Sequence, residues 1–158
     1  MNGAHLHLLV NHLSLISIPV VLVFLAFGLK FKNQSLIKFA LAICVLASLA
    51  VVPAFLSGEP AEEVVEHLPG IQESAIEAHE DAAKFALVLC LVNGALALFG
   101  LASHKSPERQ IKVAKALFVT GALSVLSLAR VSNLGGEIMH RELSGGSQSQ
   151  LVEPTHSD

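Results

Sequence analysis

The chain has 158 residues, of which 53% are hydrophobic and only 15% are charged, and its mean hydropathy is +0.62. A soluble domain carries about a quarter charged residues, so this composition excludes an ordinary soluble globular enzyme. A net charge of -3 and the lack of a basic tract give no indication of nucleic-acid binding.

Four apolar segments follow one another, at about residues 6–29, 36–56, 82–102 and 113–131. Each is long enough to cross roughly 30 Å of hydrocarbon as a helix, and backbone groups in lipid must find partners inside their own segment. We therefore predict an all-α fold, in which residues 1–143 form one domain, an antiparallel bundle of four transmembrane helices. The polar segment 144–158 is expected to be a disordered tail.

The charges indicate how these helices are oriented. The link between the second and third spans, residues 58–81, has eight acidic residues and no lysine or arginine. Seven of the ten basic residues flank the first and third links: Lys30, Lys32, Lys38, Lys105, Arg109, Lys112 and Lys115. By the positive-inside rule, the two basic links face the cytoplasm. We expect a multi-pass protein of the bacterial inner membrane with both termini on the periplasmic side.

The histidines are distributed unevenly on this topology. Only His104 lies on the cytoplasmic side, whereas seven lie on the outer side: His5, His7, His12, His67, His79, His140 and His156. A place in a solvated loop explains His67, His104 and His156. A solvated loop explains the remaining histidines less well: His5, His7, His12, His79 and His140.

The first span begins with a histidine-rich run, His5 to His12. His12 falls inside the apolar segment, where an ionisable side chain is costly and indicates a functional site. The alternative is a structural imidazole that bonds a backbone carbonyl or Asn11. His7 lies between His5 and His12 and is a second candidate ligand.

His79 lies about one turn above the third span, on a helix predicted to begin at Ile71. Glu80 and Asp81 follow it and either orient the imidazole or favour the start of a helix. Below His79, small residues recur at helical spacing: Ala83, Ala86, Cys90, Gly94 and Ala97. Such a stripe allows close packing by another helix, the commoner case, or by a flat cofactor.

The end of the fourth span supplies the third set of candidates. Gly135 and Gly136 precede His140 and are interpreted either as a helix end or as bare backbone against a bulky planar group. Arg130 would pair with a carboxylate or a haem propionate, or extend to the surface alone.

Three helices thus contribute imidazoles at one level, while the second contributes only Pro53 and Ser57. Two facing imidazoles suit haem b. A nonhaem site for copper, zinc or iron needs three or four ligands, which Glu73, Glu77, His79 and Glu80 would help to supply. The chain has no Cys-x-x-Cys-His motif, which excludes covalent c-type haem, and no catalytic residue is predicted.

These motifs resemble those of an uncharacterised family of small four-helix bacterial membrane proteins. The similarity covers about residues 5–142: a histidine pair matched by His7 and His12, a third-helix histidine matched by His79, and the group Gly135, Gly136 and His140. Ser14 stands where the family pattern has proline. Relatives joined to, or encoded beside, cytochrome c-like domains imply electron transport and haem b. The architecture is also similar to four-helix b-type membrane cytochromes, at the level of fold.

The leading hypothesis is an electron-transfer subunit that holds one or two haems near its periplasmic side. His12 and His79 are the preferred axial ligands, and His7 and His140 the alternative or second pair. Arg130 would contact a propionate, and Gly135 and Gly136 would admit the porphyrin. The expected partners are membrane lipid, other subunits of a redox complex and a periplasmic cytochrome c. The alternatives are a nonhaem metal protein and a structural subunit of a respiratory complex.

Overall fold

A computed structural model describes residues 3–66 and 72–139 of the chain. These residues form five helices and no strand: α1 (Gly3–Lys30), α2 (Gln34–Leu56), α3 (Gly58–Val65), α4 (Glu73–Ala102) and α5 (Pro107–Met139). The all-α prediction is confirmed for this part of the chain. His67, His140, His156 and the segment 144–158 lie outside the described residues.

Four helical stretches are long and apolar enough to span a membrane. They are Leu9–Lys30 in α1, Gln34–Val64 across α2 and α3, Glu73–Ala102 in α4 and Pro107–Ile138 in α5. The four predicted spans are therefore confirmed as helices, although two helices exceed them. The helix α4 begins at Glu73, close to the start predicted at Ile71, and α5 continues to Met139, beyond the predicted span that ends at about residue 131. Polar residues continue each helix beyond its apolar part, because helix formation does not require every turn to be apolar.

Short turns with recognisable capping residues join the helices in pairs. Between α1 and α2, Lys32 takes a positive φ of 51°, and the side chain of Asn33 accepts a hydrogen bond from the Leu36 N–H at 3.0 Å. Before α5, the Ser106 hydroxyl accepts from the Arg109 N–H at 3.4 Å, and Pro107 takes the first helical position. These turns hold α1 against α2 and α4 against α5.

The long helices pack in the cyclic order α1, α2, α4, α5, each antiparallel to its neighbours. Close pairs along the four interfaces establish this order: Gly28 with Ile37, Ser48 with Gly94, Gly100 with Val113, and Leu22 with Gly121. We call the end that holds both short turns the loop end. The opposite end, where α1 begins, α2 and α5 finish and α3 lies, is the histidine end.

The distribution of side chains suits an apolar surrounding. Large apolar side chains point outward, with Leu46 67% and Leu126 69% exposed, whereas Asn93 is 1% exposed. The Asn93 amide donates to the Ser124 hydroxyl at 2.8 Å and accepts from the Thr120 hydroxyl at 2.6 Å. Helices surrounded by lipid gain little free energy from burying apolar surface against each other. Hydrogen bonds between their side chains help to hold them together.

The stripe of small residues on α4 is the face that packs against α2 and α5. Ala86, Cys90, Gly94 and Ala97 are all buried. A Cβ atom added at Gly94 would lie 2.7 Å from the Ser48 Cβ, so the α2 and α4 backbones approach closely there. The lower part of the stripe therefore serves helix packing, the commoner of the two interpretations.

We expect Gly94→Ala to destabilise the bundle. The added methyl group would collide with Ser48, and overpacking costs about 1–3 kcal/mol, more than the gain of about 1 kcal/mol in helix propensity. Thermal unfolding of the detergent-solubilised protein measures the effect. The control is Ala95→Val, which adds more volume at an exposed position. Equal melting temperatures for Gly94→Ala and the wild type would contradict the close approach.

Candidate functional site

A cavity of about 610 Å³ opens at the histidine end. This volume lies within the roughly 300–1,000 Å³ typical of cofactor and ligand pockets. All five helices contribute to its lining, which includes His7, His12, His79, Gly135 and Gly136. The structure thus brings five of the predicted site residues around one space.

His79 is held in place by α5. Its Nδ1 atom lies 3.1 Å from the Val131 carbonyl oxygen. A carbonyl only accepts hydrogen bonds, so Nδ1 carries the proton and Nε2 keeps its lone pair. One turn further along α5, a Cβ atom added at Gly135 would lie 3.1 Å from the His79 Cε1 atom, so the glycine leaves room for this ring.

His7 is held by the end of α2. Its Nδ1 atom lies 3.0 Å from the Ser57 hydroxyl oxygen, and that hydroxyl donates its hydrogen to the Ala54 carbonyl at 2.8 Å. The ring also bonds the Ala54 carbonyl, which only accepts, so His7 donates an N–H to the end of α2. Burial lowers the pKa of His7, which precedes the apolar segment Leu9–Lys30, and a charge on His79 would lower it further. Burial is the largest of these effects and favours the neutral imidazole, the form that binds metals.

The two imidazoles lie next to each other. The ring centroids of His7 and His79 are 6.3 Å apart, and their planes are inclined by 78°. Each ring has Nδ1 engaged in a hydrogen bond and is part of the cavity lining. The arrangement brings two anchored imidazoles from different helices to one space.

The remaining predicted residues have different surroundings. His12 is exposed and also lines the cavity, farther along α1. Arg130 is exposed and is not part of the lining. Gly135 and Gly136 lie inside α5, which continues to Met139, so the first of the two interpretations of this pair, a helix end, is wrong. His140 lies outside the described residues.

Carboxylates form part of the cavity wall. Glu59 and Glu62 of α3 and Glu80 of α4 line it, whereas Glu73 and Glu77 do not and are exposed. Within residues 3–66 and 72–139, no three His, Cys, Asp or Glu side chains are grouped closely enough to hold one metal ion. No lysine or arginine of this part of the chain lines the cavity.

Two groups of the site were missed by sequence reasoning, the Ser57 hydroxyl and the Val131 carbonyl. A serine near a helix end belongs to no motif, and a backbone carbonyl carries no sequence signal. Only the antiparallel packing of α1 on α2 and of α4 on α5 identifies them as partners of His7 and His79.

No family model, curated protein or solved structure matches this chain. The functional interpretation therefore rests on the geometry of the histidine end.

The two glycines of α5 provide a matched pair of substitutions. We expect Gly135→Ala to displace the His79 ring, since the new methyl group would lie 3.1 Å from Cε1, whereas a methyl group at Gly136 meets nothing within 4 Å. Imidazole ¹⁵N and ¹³C chemical shifts of the detergent-solubilised protein measure the effect. Equal shifts of the His79 signals in the two variants would contradict the contact.

Proposed function

We propose that this protein is a membrane electron-transfer subunit that binds haem b at its histidine end, with His7 and His79 as axial ligands. One observation carries the proposal. Two imidazoles from different helices lie 6.3 Å apart at one cavity, and each has its Nδ1 atom held by a hydrogen bond.

The state of these nitrogens supports a role as metal ligands. A histidine that binds a metal through one nitrogen usually donates the other N–H to a carbonyl, a carboxylate or water, which fixes the ring and makes the ligating nitrogen more basic. His79 does this with the Val131 carbonyl and His7 with the end of α2.

The number of ligands favours haem over a nonhaem ion. Structural and catalytic sites for zinc use three or four protein ligands, and the described residues contain no such group. A haem iron needs only two from the protein, because the porphyrin supplies the other four.

The surroundings of His79 fit a flat cofactor. Gly135 leaves space where any side chain would press on the ring, and Ala83 and Ala86 of the α4 stripe are part of the cavity wall. The small residues of α4 thus pack against other helices towards the loop end and form part of the cavity wall towards the histidine end. Haem would supply one-electron oxidation and reduction.

The propionate end of a haem would find no cation in the cavity wall. Glu59, Glu62 and Glu80 lie there, and Arg130 does not. The propionates would therefore extend past the carboxylates into water, and a contact with Arg130 stays a prediction. The number of haems, one or two, stays a prediction, and His140 lies outside the described residues.

The setting of the site completes the proposal. By the charge of the links, the histidine end faces the periplasm of a bacterial inner membrane. Electrons would pass between a membrane partner, either a quinol or another subunit of a redox complex, and a periplasmic carrier such as a cytochrome c. The resemblance to the small four-helix family stays a prediction.

An optical spectrum of the full chain, expressed with adequate haem, tests the proposal. We expect the reduced protein to show sharp b-type α and Soret bands. His7→Ala and His79→Ala should each abolish them or convert the haem to a high-spin form, because each removes one axial ligand. The matched control is His104→Ala, at the loop end.

Three outcomes decide between the hypotheses. Stoichiometric copper, zinc or iron without haem would establish the nonhaem alternative. Loss of the bands in His12→Ala but not in His7→Ala would replace the proposed pair by His12 and His79. If the protein binds neither haem nor metal, and His7→Ala and His79→Ala assemble normally, the role is structural.

A further inference from the structure

We infer that the hairpin of α1 and α2 binds an anionic phospholipid at the loop end, through three lysines and a strip of phenylalanines. The lysines are Lys30, Lys32 and Lys38. This inference goes beyond the proposed function, because it needs no cofactor and involves no residue of the histidine end.

The phenylalanine strip lies on the outer side of this hairpin and consists of Phe24, Phe27 and Phe31 of α1 and Phe39 of α2. On α1, the three positions are three and four residues apart, which places them on one face of the helix. The Phe27 and Phe31 rings stack with their centroids 6.0 Å apart, and Phe24 meets Phe39 edge to face at 5.2 Å. Phe27, Phe31 and Phe39 are 50%, 64% and 51% exposed, so the strip presents an apolar surface to acyl chains.

The lysines lie where this strip ends. Lys30 is the last residue of the apolar segment of α1, and its Nζ atom lies 5.6 Å from the centroid of the Phe31 ring, within the range of a cation–π contact. Lys38 precedes Phe39 on α2, and Lys32 lies in the turn between the two helices. Rings for acyl chains beside cations for a phosphate fit a phospholipid, since a soluble anion makes no use of exposed rings.

The positive charge of this hairpin is not balanced. The first acidic residue of the chain is Glu59, so α1 and α2 have no carboxylate. Within residues 3–66 and 72–139, Lys84 and Lys112 form ion pairs, but none of the three lysines of the hairpin does. One lysine near the membrane surface strengthens attraction to anionic lipid by about fivefold, so three unbalanced lysines favour an anionic headgroup over a zwitterionic one.

Fluorescence quenching tests the site. The full chain contains no tryptophan and no tyrosine, so one tryptophan placed in the strip reports on its lipid neighbours alone. Phe27→Trp is reconstituted into vesicles of phosphatidylglycerol and phosphatidylcholine, with one or the other lipid brominated, and the quenching gives the ratio of the two binding constants. We expect a preference of at least about fivefold for phosphatidylglycerol, the effect of one lysine. Salt should reduce this preference, because it screens exposed charges.

A reporter at the histidine end is the matched control. Phe85 is 62% exposed and follows Lys84, whose Nζ atom pairs with the Glu80 carboxylate at 3.0 Å. Because this lysine already has a counter-ion, Phe85→Trp should show no preference for phosphatidylglycerol.

Lysine variants in the Phe27→Trp background test the source of the preference. Replacing all three lysines of the hairpin by glutamine should abolish it. Lys112→Gln should leave it unchanged, since Lys112 pairs with Glu108 at 3.0 Å. Phe39→Trp, on α2, is a second reporter that keeps the test open where Phe27→Trp does not fold.

Three results would overturn the site. The first is the lack of a preference for phosphatidylglycerol at both reporters of the strip, and the second is a preference that survives the loss of the three lysines. The third is an equal preference at Phe85→Trp, which would show a general attraction of lipid to the protein. Loss of the preference when inorganic phosphate is added at constant ionic strength would assign the lysines to a free anion and overturn the lipid. None of these measurements involves haem, so the proposed function can fail while this site stands.

Discussion

The close approach of α4 to its neighbours is the constraint on which the rest of the structure depends. Helices surrounded by lipid gain little from burying apolar side chains, so they associate through small residues and interhelical hydrogen bonds. Gly94 brings α4 against Ser48 of α2, and Asn93 joins it to Ser124 and Thr120 of α5. These contacts fix the height and rotation of α4 and therefore the place where His79 emerges at the histidine end.

One turn of α5 then determines the surroundings of His79. Val131 supplies the carbonyl that accepts from Nδ1, and Gly135 leaves the space that the ring occupies. The two residues are four apart and so lie on one face of the helix. A side chain at Gly135 would push the imidazole away from the carbonyl that orients it, so the space and the hydrogen bond depend on each other.

The sequence predicts the helices and the region of the site. It does not predict which two histidines lie next to each other. Runs of about 20 apolar residues indicate spans, but hydropathy measures the thickness of the lipid rather than the length of a helix, so α5 extends to Met139, beyond its predicted span. The sequence favours His12 over His7 as a ligand, because His12 lies deeper in the apolar segment. Five residues rotate a helix by about 140° net, so the two histidines leave α1 in different directions although both line the cavity. Packing alone decides that His7 meets His79.

The count of donors then bears on the kind of chemistry that the histidine end can perform. Catalytic metal sites keep one coordination position open for water or substrate, whereas a haem iron with two histidine ligands has none. If His7 and His79 both bind the iron, substrate cannot reach it, and the site can accept and release electrons without forming a bond to another molecule.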